Sequence, residues 1–411
     1  MMRDLLLALG IVMANATQLR LPGTALGLGE ICLAGWIGLT LALEARRLSM
    51  PLNFALSSLL VFWLVFGFAQ SLGWLMALAL EDFRDTASAI HTSIAYLLFA
   101  ALSCLMVVQP DTWARLRRVI WLACAIGGAG MVVLLAGAHG LVPLPGIEPW
   151  IWTRLRGWSE NPNQFAFLCT ALALLSLHLA ETAQRSEEAI VALACAVPSF
   201  IAGILTKSDS FILFALIAAP LFILSKMWIW LFAVDSRLSF RAAVASVMFL
   251  GVPAMLVSAA PFAPTMIEKA EQFATSTMEQ NNQAENRFKL WQEALEIGIN
   301  AGMLGLGPGP HLVNKQWKRP PPDKFEAHNT VLDLFTQGGV IAAVAFLWLT
   351  GAAFVVAYKA GFVSLATLIL SVFVFSNFHF IGRHPIFWFS VALCLAAGDC
   401  ARETTRAGRK S

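Results

Sequence analysis

The stretch RLRGWSENPNQFAFLCTALALLSLHLA, Arg154 to Ala180, sets a polar mouth directly against an apolar run. Asn161-Pro162 reads as a helix N-cap followed by proline at the first helical position, where its missing N–H costs nothing. The helix predicted from there, near 162–182, has the length that crosses a bilayer core. It lacks the polar face that a surface helix of a soluble protein would show.

The rest of the chain repeats this pattern. Its 411 residues are 58% hydrophobic and 13% charged, against roughly 25% charged in an ordinary soluble domain. Apolar runs long enough to span follow one another, and the weak alternating segments of a β-barrel are absent. The fold class is therefore an all-α polytopic membrane protein. Twelve spans are expected, near 5–18, 24–43, 52–73, 91–108, 119–138, 162–182, 189–206, 208–224, 242–260, 328–355, 361–380 and 385–399. No small-residue cleavage site follows the first run, so it reads as a span and not as a cleaved signal.

The distribution of Lys and Arg orients the chain. With a cytoplasmic N-terminus, fifteen basic residues fall in cytoplasmic segments and six in short outside loops, Arg20, Arg84, Arg154, Arg156, Lys207 and Arg383. Cytoplasmic loops retain such residues, so both termini are expected inside. One long segment, 261–327, then lies outside, where long loops translocate regardless of charge. This gives three parts: a bundle over 1–260, a partly helical outside loop over 261–327, and the final spans with a short basic tail over 328–411. Within the loop TMIEKAEQFATSTMEQ, from residue 265, reads as a helix. AENRFKLWQEALEIGI, from residue 284, reads as a better one, with Phe288, Trp291, Leu295 and Ile299 on one stripe. GLGPG is a turn and not a phosphate loop, since it lacks the lysine and the strand that a phosphate loop needs.

The seven cysteines all lie in or at the ends of apolar runs, which suggests packing and neither a disulfide framework nor a metal cluster. His379 and His384 flank the last outer turn, and packing is the favoured reading for both over a metal site, for which no third ligand is apparent. The remaining polar positions converge at one membrane depth. Arg154, Arg156, Asn161 and Asn163 stand at the mouth of span six, and Lys207, Ser208 and Asp209 at the turn after span seven. Arg287 and Trp291 lie on the loop helix, and His328 and Asn329 open span ten. A helix N-terminus beside guanidiniums favours an anion, phosphate above all. A neutral imidazole at His328 suits removal of a hydroxyl proton.

These residues carry a resemblance. RLRGWSENPNQFA resembles the Arg-x-x-Gly and Asn-Pro-Asn segment of the O-antigen ligase and polymerase superfamily. ENRFKLWQEALEIGINAGMLGLGPG is similar to its Arg-x-x-x-Trp and Gly-x-Gly-x-Gly loop segment, and AHNTVLDLFTQGGVIA to its His-Asn segment. The resemblance implies an inverting, metal-independent glycosyltransferase of the bacterial inner membrane, without cofactor. Its site would face the periplasm. The donor would be a glycan on undecaprenyl diphosphate, and the acceptor a saccharide such as lipid A core or a growing O-antigen or exopolysaccharide. It implies that Arg156 and Arg287 hold the diphosphate, helped by Arg154, Lys207, Asn161 and Asn163, and that His328 assists the acceptor. Arg156, at the motif position, is expected to matter more than Arg154. One departure stands out: LTKSDSF places Asp209 where the family often has Arg, which leaves Lys207 as the nearby cation. The alternative from the span count is a lipid-linked glycan flippase or another multi-span transporter. Against it stand the late position of the long loop and the placement of the polar residues away from the bilayer midplane.

Overall fold

A computed structural model describes residues 1–21, 26–45, 52–80, 86–109, 111–232, 281–313 and 324–408. The span expected near 242–260, the helix expected from residue 265 and the boundary at 260 lie outside the described residues. The described chain is helical throughout, apart from two short hairpins. The helices are α1 (Met2–Met13), α2 (Leu28–Glu44), α3 (Phe54–Ala79), α4 (Thr86–Val107), α5 (Thr112–Ala138), α6 (Pro162–Glu181) and α7 (Ser186–Leu205). They continue with α8 (Asp209–Leu213), α9 (Ala219–Phe232), α10 (Asn281–Asn300), α11 (Thr330–Lys359), α12 (Val363–Ser376) and α13 (Pro385–Gly408). Strands β1 (Trp150–Ile151) and β2 (Arg154–Leu155) pair antiparallel, as do β3 (Leu312–Val313) and β4 (Lys324–Phe325).

Among the described residues eight helices are long and apolar enough to cross a membrane, the character of a multi-pass membrane protein. Of the other expected spans that fall on described residues, α1 has 12 residues, α2 17 and α12 14. α6 and α13 are the innermost spans, and large apolar side chains such as Phe165, Phe387 and Phe389 are fully enclosed there. α3 and α7 instead turn much of their apolar surface outward, as lipid-facing helices do.

One end of the bundle is fastened by ion pairs. Asp4 of α1 receives Arg115 at 3.0 Å and Arg118 at 3.1 Å from α5. Glu181, at the end of α6, accepts the first backbone N–H groups of α12 from Val363 and Ser364 and pairs with Lys226. Because successive spans alternate in direction, the opposite end gathers the starts of α6, α8, α11 and α13.

α11 is broken within its length. Gly338 and Gly339 leave the helical region, with Gly339 at φ 63°, ψ −159°. The freed backbone groups are taken up by the turn after α10. Leu306 N donates to Thr336 O at 2.8 Å, Gly307 N to Gln337 O at 2.7 Å, and Val340 N to Met303 O at 3.0 Å. The contact is so close that a Cβ on Gly339 would lie 1.9 Å from the Met303 carbonyl oxygen. α3 joins the same junction through Gly73, whose added Cβ would lie 2.3 Å from Gln337 O.

α10 turns a narrow face inward. Phe288, Leu295 and Ile299, which the sequence sets on one stripe with Trp291, are exposed. The face turned inward is the small one, Ala294, Gly298 and Ala301, flanked by Trp291 and Ile297. An added Cβ on Gly298 would lie 2.2 Å from the Phe335 ring, so small residues let α10 approach α11 where large ones could not.

Gly339→Ala should therefore destabilise the protein by about 2–4 kcal/mol, from a disallowed backbone and a collision with backbone together. Gly351→Ala, in the same helix where a Cβ meets open space, should leave stability unchanged or slightly raised. Thermal unfolding midpoints in detergent compare the two.

Candidate functional site

The polar mouth is built on loops pinned from several sides. β1 and β2 form a tight hairpin whose tip, Trp152, is 85% exposed with φ 50°. The segment after it is clamped by the α1–α2 linker. Gln18 Nε2 donates to the carbonyls of Gly157 at 2.9 Å and Ser159 at 2.8 Å. Asn15 Nδ2 donates to Gln164 O at 2.9 Å, and Glu160 N donates to Thr17 Oγ1 at 2.8 Å. None of these linker residues stood out in the sequence, because a polar residue between two spans reads as ordinary turn chemistry.

Asn161 is the N-cap of α6, its Oδ1 accepting Asn163 N at 2.8 Å. The side chain of Asn163 accepts a hydrogen bond from Arg154 Nη2 at 2.6 Å, and Arg154 Nε donates to Thr206 O at 3.0 Å. Arg154 is thus held in a fixed direction between the start of α6 and the end of α7. Burial lowers its pKa, Asp209 acts in the opposite sense and Arg287 adds to the lowering. Even so, a guanidinium stays charged. Those two influences place Arg154, Asp209 and Arg287 in one electrostatic neighbourhood.

Arg156 is placed differently. Its Nε donates to Glu148 O at 2.9 Å and its Nη2 pairs with Glu148 Oε2 at 2.6 Å. The motif position that the resemblance favours is therefore engaged in closing its own loop, while the neighbour two residues earlier reaches the cluster. Lys207 and Asp209 are exposed on either side of buried Ser208, whose Oγ has no hydrogen-bond partner. Lys207 itself stands at φ 49°, and Asp209 lies in the first turn of α8.

His328 also stands in the left-handed region, at φ 53°. A bulky residue holds that conformation only when its surroundings over-determine it, and here they do. Ala327 N donates to Asp333 Oδ1 at 2.6 Å, and Trp291 Nε1 donates to Ala327 O at 3.1 Å. Asn329 caps α11, its Oδ1 accepting Val331 N at 3.1 Å and Leu332 N at 3.2 Å. Trp291 and Asn329 thus act on the backbone either side of His328. The imidazole is exposed, yet the protein crowded around it, together with the charge of Arg287, lowers its pKa, so it is neutral at pH 7.

The α12–α13 loop closes the remaining side, an element the sequence motifs did not include. Thr330 Oγ1 donates to His379 O at 2.6 Å and accepts Ile381 N at 3.0 Å. Arg383 pairs with Glu326, two residues before His328. The rings of His328 and His379 are 6.2 Å apart, and the Arg287 guanidinium lies 5.8 Å from the Phe378 ring centroid. Burial, the neighbouring histidines and the two arginines hold His379 far below its ordinary value, at about 3. Among the described residues no group of three His, Cys, Asp or Glu is arranged to hold a metal ion.

Two guanidiniums, one carboxylate and two neutral imidazoles therefore gather at one end of the bundle, drawn from five separate stretches of chain. Cations next to neutral imidazoles can hold an anionic group while a hydroxyl proton is removed beside it. Residues 194–347 match the family model described as O-antigen ligase. The matched region contains Lys207, Ser208, Asp209, Arg287, Trp291, His328 and Asn329, and it stops short of Arg154 and His379. A comparison with the curated proteins finds no match.

The His328 geometry depends on Asp333. Asp333→Ala should leave the buried Ala327 N–H unpaired at a cost of about 1–3 kcal/mol, whereas Asp333→Asn retains an acceptor. Hydrogen–deuterium exchange over residues 326–332 should accelerate in the first variant and change little in the second.

Proposed function

Taking as premise the O-antigen ligase and polymerase superfamily, which the match over residues 194–347 supports, we propose that the chain is a membrane glycosyltransferase. It moves a glycan from undecaprenyl diphosphate to a saccharide acceptor in surface polysaccharide polymerisation or ligation. The site faces the periplasm of the bacterial inner membrane, with both termini cytoplasmic and residues 261–327 as the periplasmic loop. The observation that carries this reading is that Arg154, Arg287 and His328, from three distant stretches, share one electrostatic neighbourhood, with Arg287 5.8 Å from the Phe378 ring and His328 6.2 Å from the ring of the next residue, His379.

In the proposed reaction Arg154 and Arg287 hold the diphosphate, with Lys207 and the α6 N-terminus adding positive potential. The acceptor hydroxyl oxygen bonds to the anomeric carbon as the carbon–oxygen bond to the diphosphate breaks. The electron pair leaves with the diphosphate, and His328 takes the hydroxyl proton. Direct displacement inverts the anomeric centre, and no metal takes part. Asn163 positions Arg154, Trp291 and Asn329 position His328, and Asn161 caps the helix start. Arg154 carries more of the donor contact than Arg156, because Arg156 is paired with Glu148. The flippase alternative is less well supported, since the polar cluster lies at helix ends and not at the midplane, where transporters bind. Transport of labelled glycolipid in vesicles without any transfer product would favour it.

Arg154→Ala, Arg287→Ala and His328→Ala should each abolish polymer on gels of lipopolysaccharide and secreted polysaccharide, while the protein still inserts. Arg156→Ala should reduce polymer less. Wild-type polymer in all of the first three would remove the site assignment. In a deletion strain, accumulated lipid-linked polymer indicates a ligase and single-repeat products a polymerase.

The pH dependence carries a separate sign. His328 must be neutral to accept a proton, and its pKa lies below the ordinary 6.5. Activity should therefore hold through neutral pH and fall only in acid, below that ordinary value. Arg287→Gln removes a charge that lowers the His328 pKa, so the acid limb of the residual activity should move to higher pH.

A further inference from the structure

His379 lies outside the motifs and outside residues 194–347, yet its ring stands 6.2 Å from that of His328. Its imidazole is influenced by both Arg154 and Arg287, as well as by His328, whereas His328 answers to Arg287. His379 therefore belongs to the same cluster as the two guanidiniums, and the Arg287 guanidinium lies 5.8 Å from the ring of the adjacent Phe378. The His379 carbonyl accepts Thr330 Oγ1, and Ile381 N donates to the same hydroxyl, so its loop is tied twice to Thr330, two residues after His328.

The ring also carries an unmet requirement. Nε2 of His379 is enclosed and has no hydrogen-bond partner, while the residue as a whole is only half-buried. A neutral imidazole bears one N–H and one bare acceptor nitrogen. An orphaned buried N–H is rarer and costlier than an under-satisfied acceptor. The proton therefore belongs on Nδ1, which makes that nitrogen the donor the ring can offer.

We infer that His379 is a further donor-site residue, its Nδ1–H hydrogen-bonding a diphosphate oxygen held between Arg154 and Arg287. The inference rests on the proposed transferase reading. A neutral donor suits this place: it adds a directed hydrogen bond without adding a third positive charge beside two guanidiniums. Its low pKa keeps it in that form while the site is empty.

The test is a titration of undecaprenyl diphosphate onto the full-length protein in lipid nanodiscs, with unfolding midpoints measured in parallel. His379→Phe keeps a ring of similar shape and removes the donor, and it should weaken binding roughly tenfold or more, the scale of one hydrogen bond to a charged group. His379→Asn places an amide near the Nδ1 position and should recover most of the affinity. Arg287→Ala serves as the reference for loss at the same site. Wild-type binding with His379→Phe unimpaired, or with Asn as damaging as Phe, overturns the role of His379 and leaves the transferase reading intact. Failure of the wild type itself to bind overturns the transferase reading first.

Discussion

The architecture turns on a broken helix in apolar surroundings. At the depth of a lipid bilayer an unpaired backbone group has no water to turn to, so irregular backbone survives there only when protein covers it. The break at Gly338–Gly339 frees groups of Thr336, Gln337 and Val340, and the turn Met303–Gly307 satisfies them. That turn is the direct continuation of α10. The requirement that closes a hole in α11 thereby also docks the helix bearing Arg287 and Trp291, and Trp291 in turn bonds the backbone next to His328. The buried contact of the Tyr96 hydroxyl with Gln337 Oε1, at 2.5 Å, ties α4 to the same junction.

The two ends of the bundle treat charge differently. At the end holding Asp4 and Glu181, buried carboxylates meet cations and capped helix starts. Such pairs offset their own desolvation and leave little field for a ligand. At the other end Arg156 and Arg383 are likewise paired, with Glu148 and Glu326, but Arg154 is bonded to groups that fix its direction without cancelling its charge. Arg154 is oriented by Thr206 O and Asn163, both neutral. A rigid, incompletely compensated positive site favours an arriving anion without reorganisation at the moment of binding.

Much of this was legible in the sequence, and the omissions have physical causes. Apolar run length gives the helices, and Asn161-Pro162 marks the start of α6 to the residue. The convergence of His328, Arg287 and the Arg154 segment follows from counting alternating spans. What spacing could not give is the direction of a side chain on a hairpin. Arg154 and Arg156 are two residues apart, and the difference between them is made by Glu148, Asn163 and Thr206, contacts that no local pattern encodes. The face that α10 buries is set by a related limit. Hydrophobicity marks Phe288, Leu295 and Ile299, but helix approach is limited by bulk, and Ala294 with Gly298 sets the distance. His379 reads from the sequence as a packing residue of the last outer turn, and only the Thr330 contacts bring its loop across to His328.

Asp209 follows from the same electrostatics. In the resembling family a cation often stands there, so a carboxylate looks adverse to a site for diphosphate. Yet Arg154 is half-buried, and Arg287 disfavours its charge further. A guanidinium cannot escape this by losing its proton, so it needs a compensating charge or more water. Asp209 supplies the charge from an exposed position at the start of α8, where the helix dipole also favours an anion. Being solvated, it compensates weakly, as exposed ion pairs do. A bidentate diphosphate contact would be much the stronger partner for Arg154. Under the proposed transferase reading, the carboxylate steadies Arg154 at a level a diphosphate would outcompete, and Lys207 beside it supplies part of the positive potential.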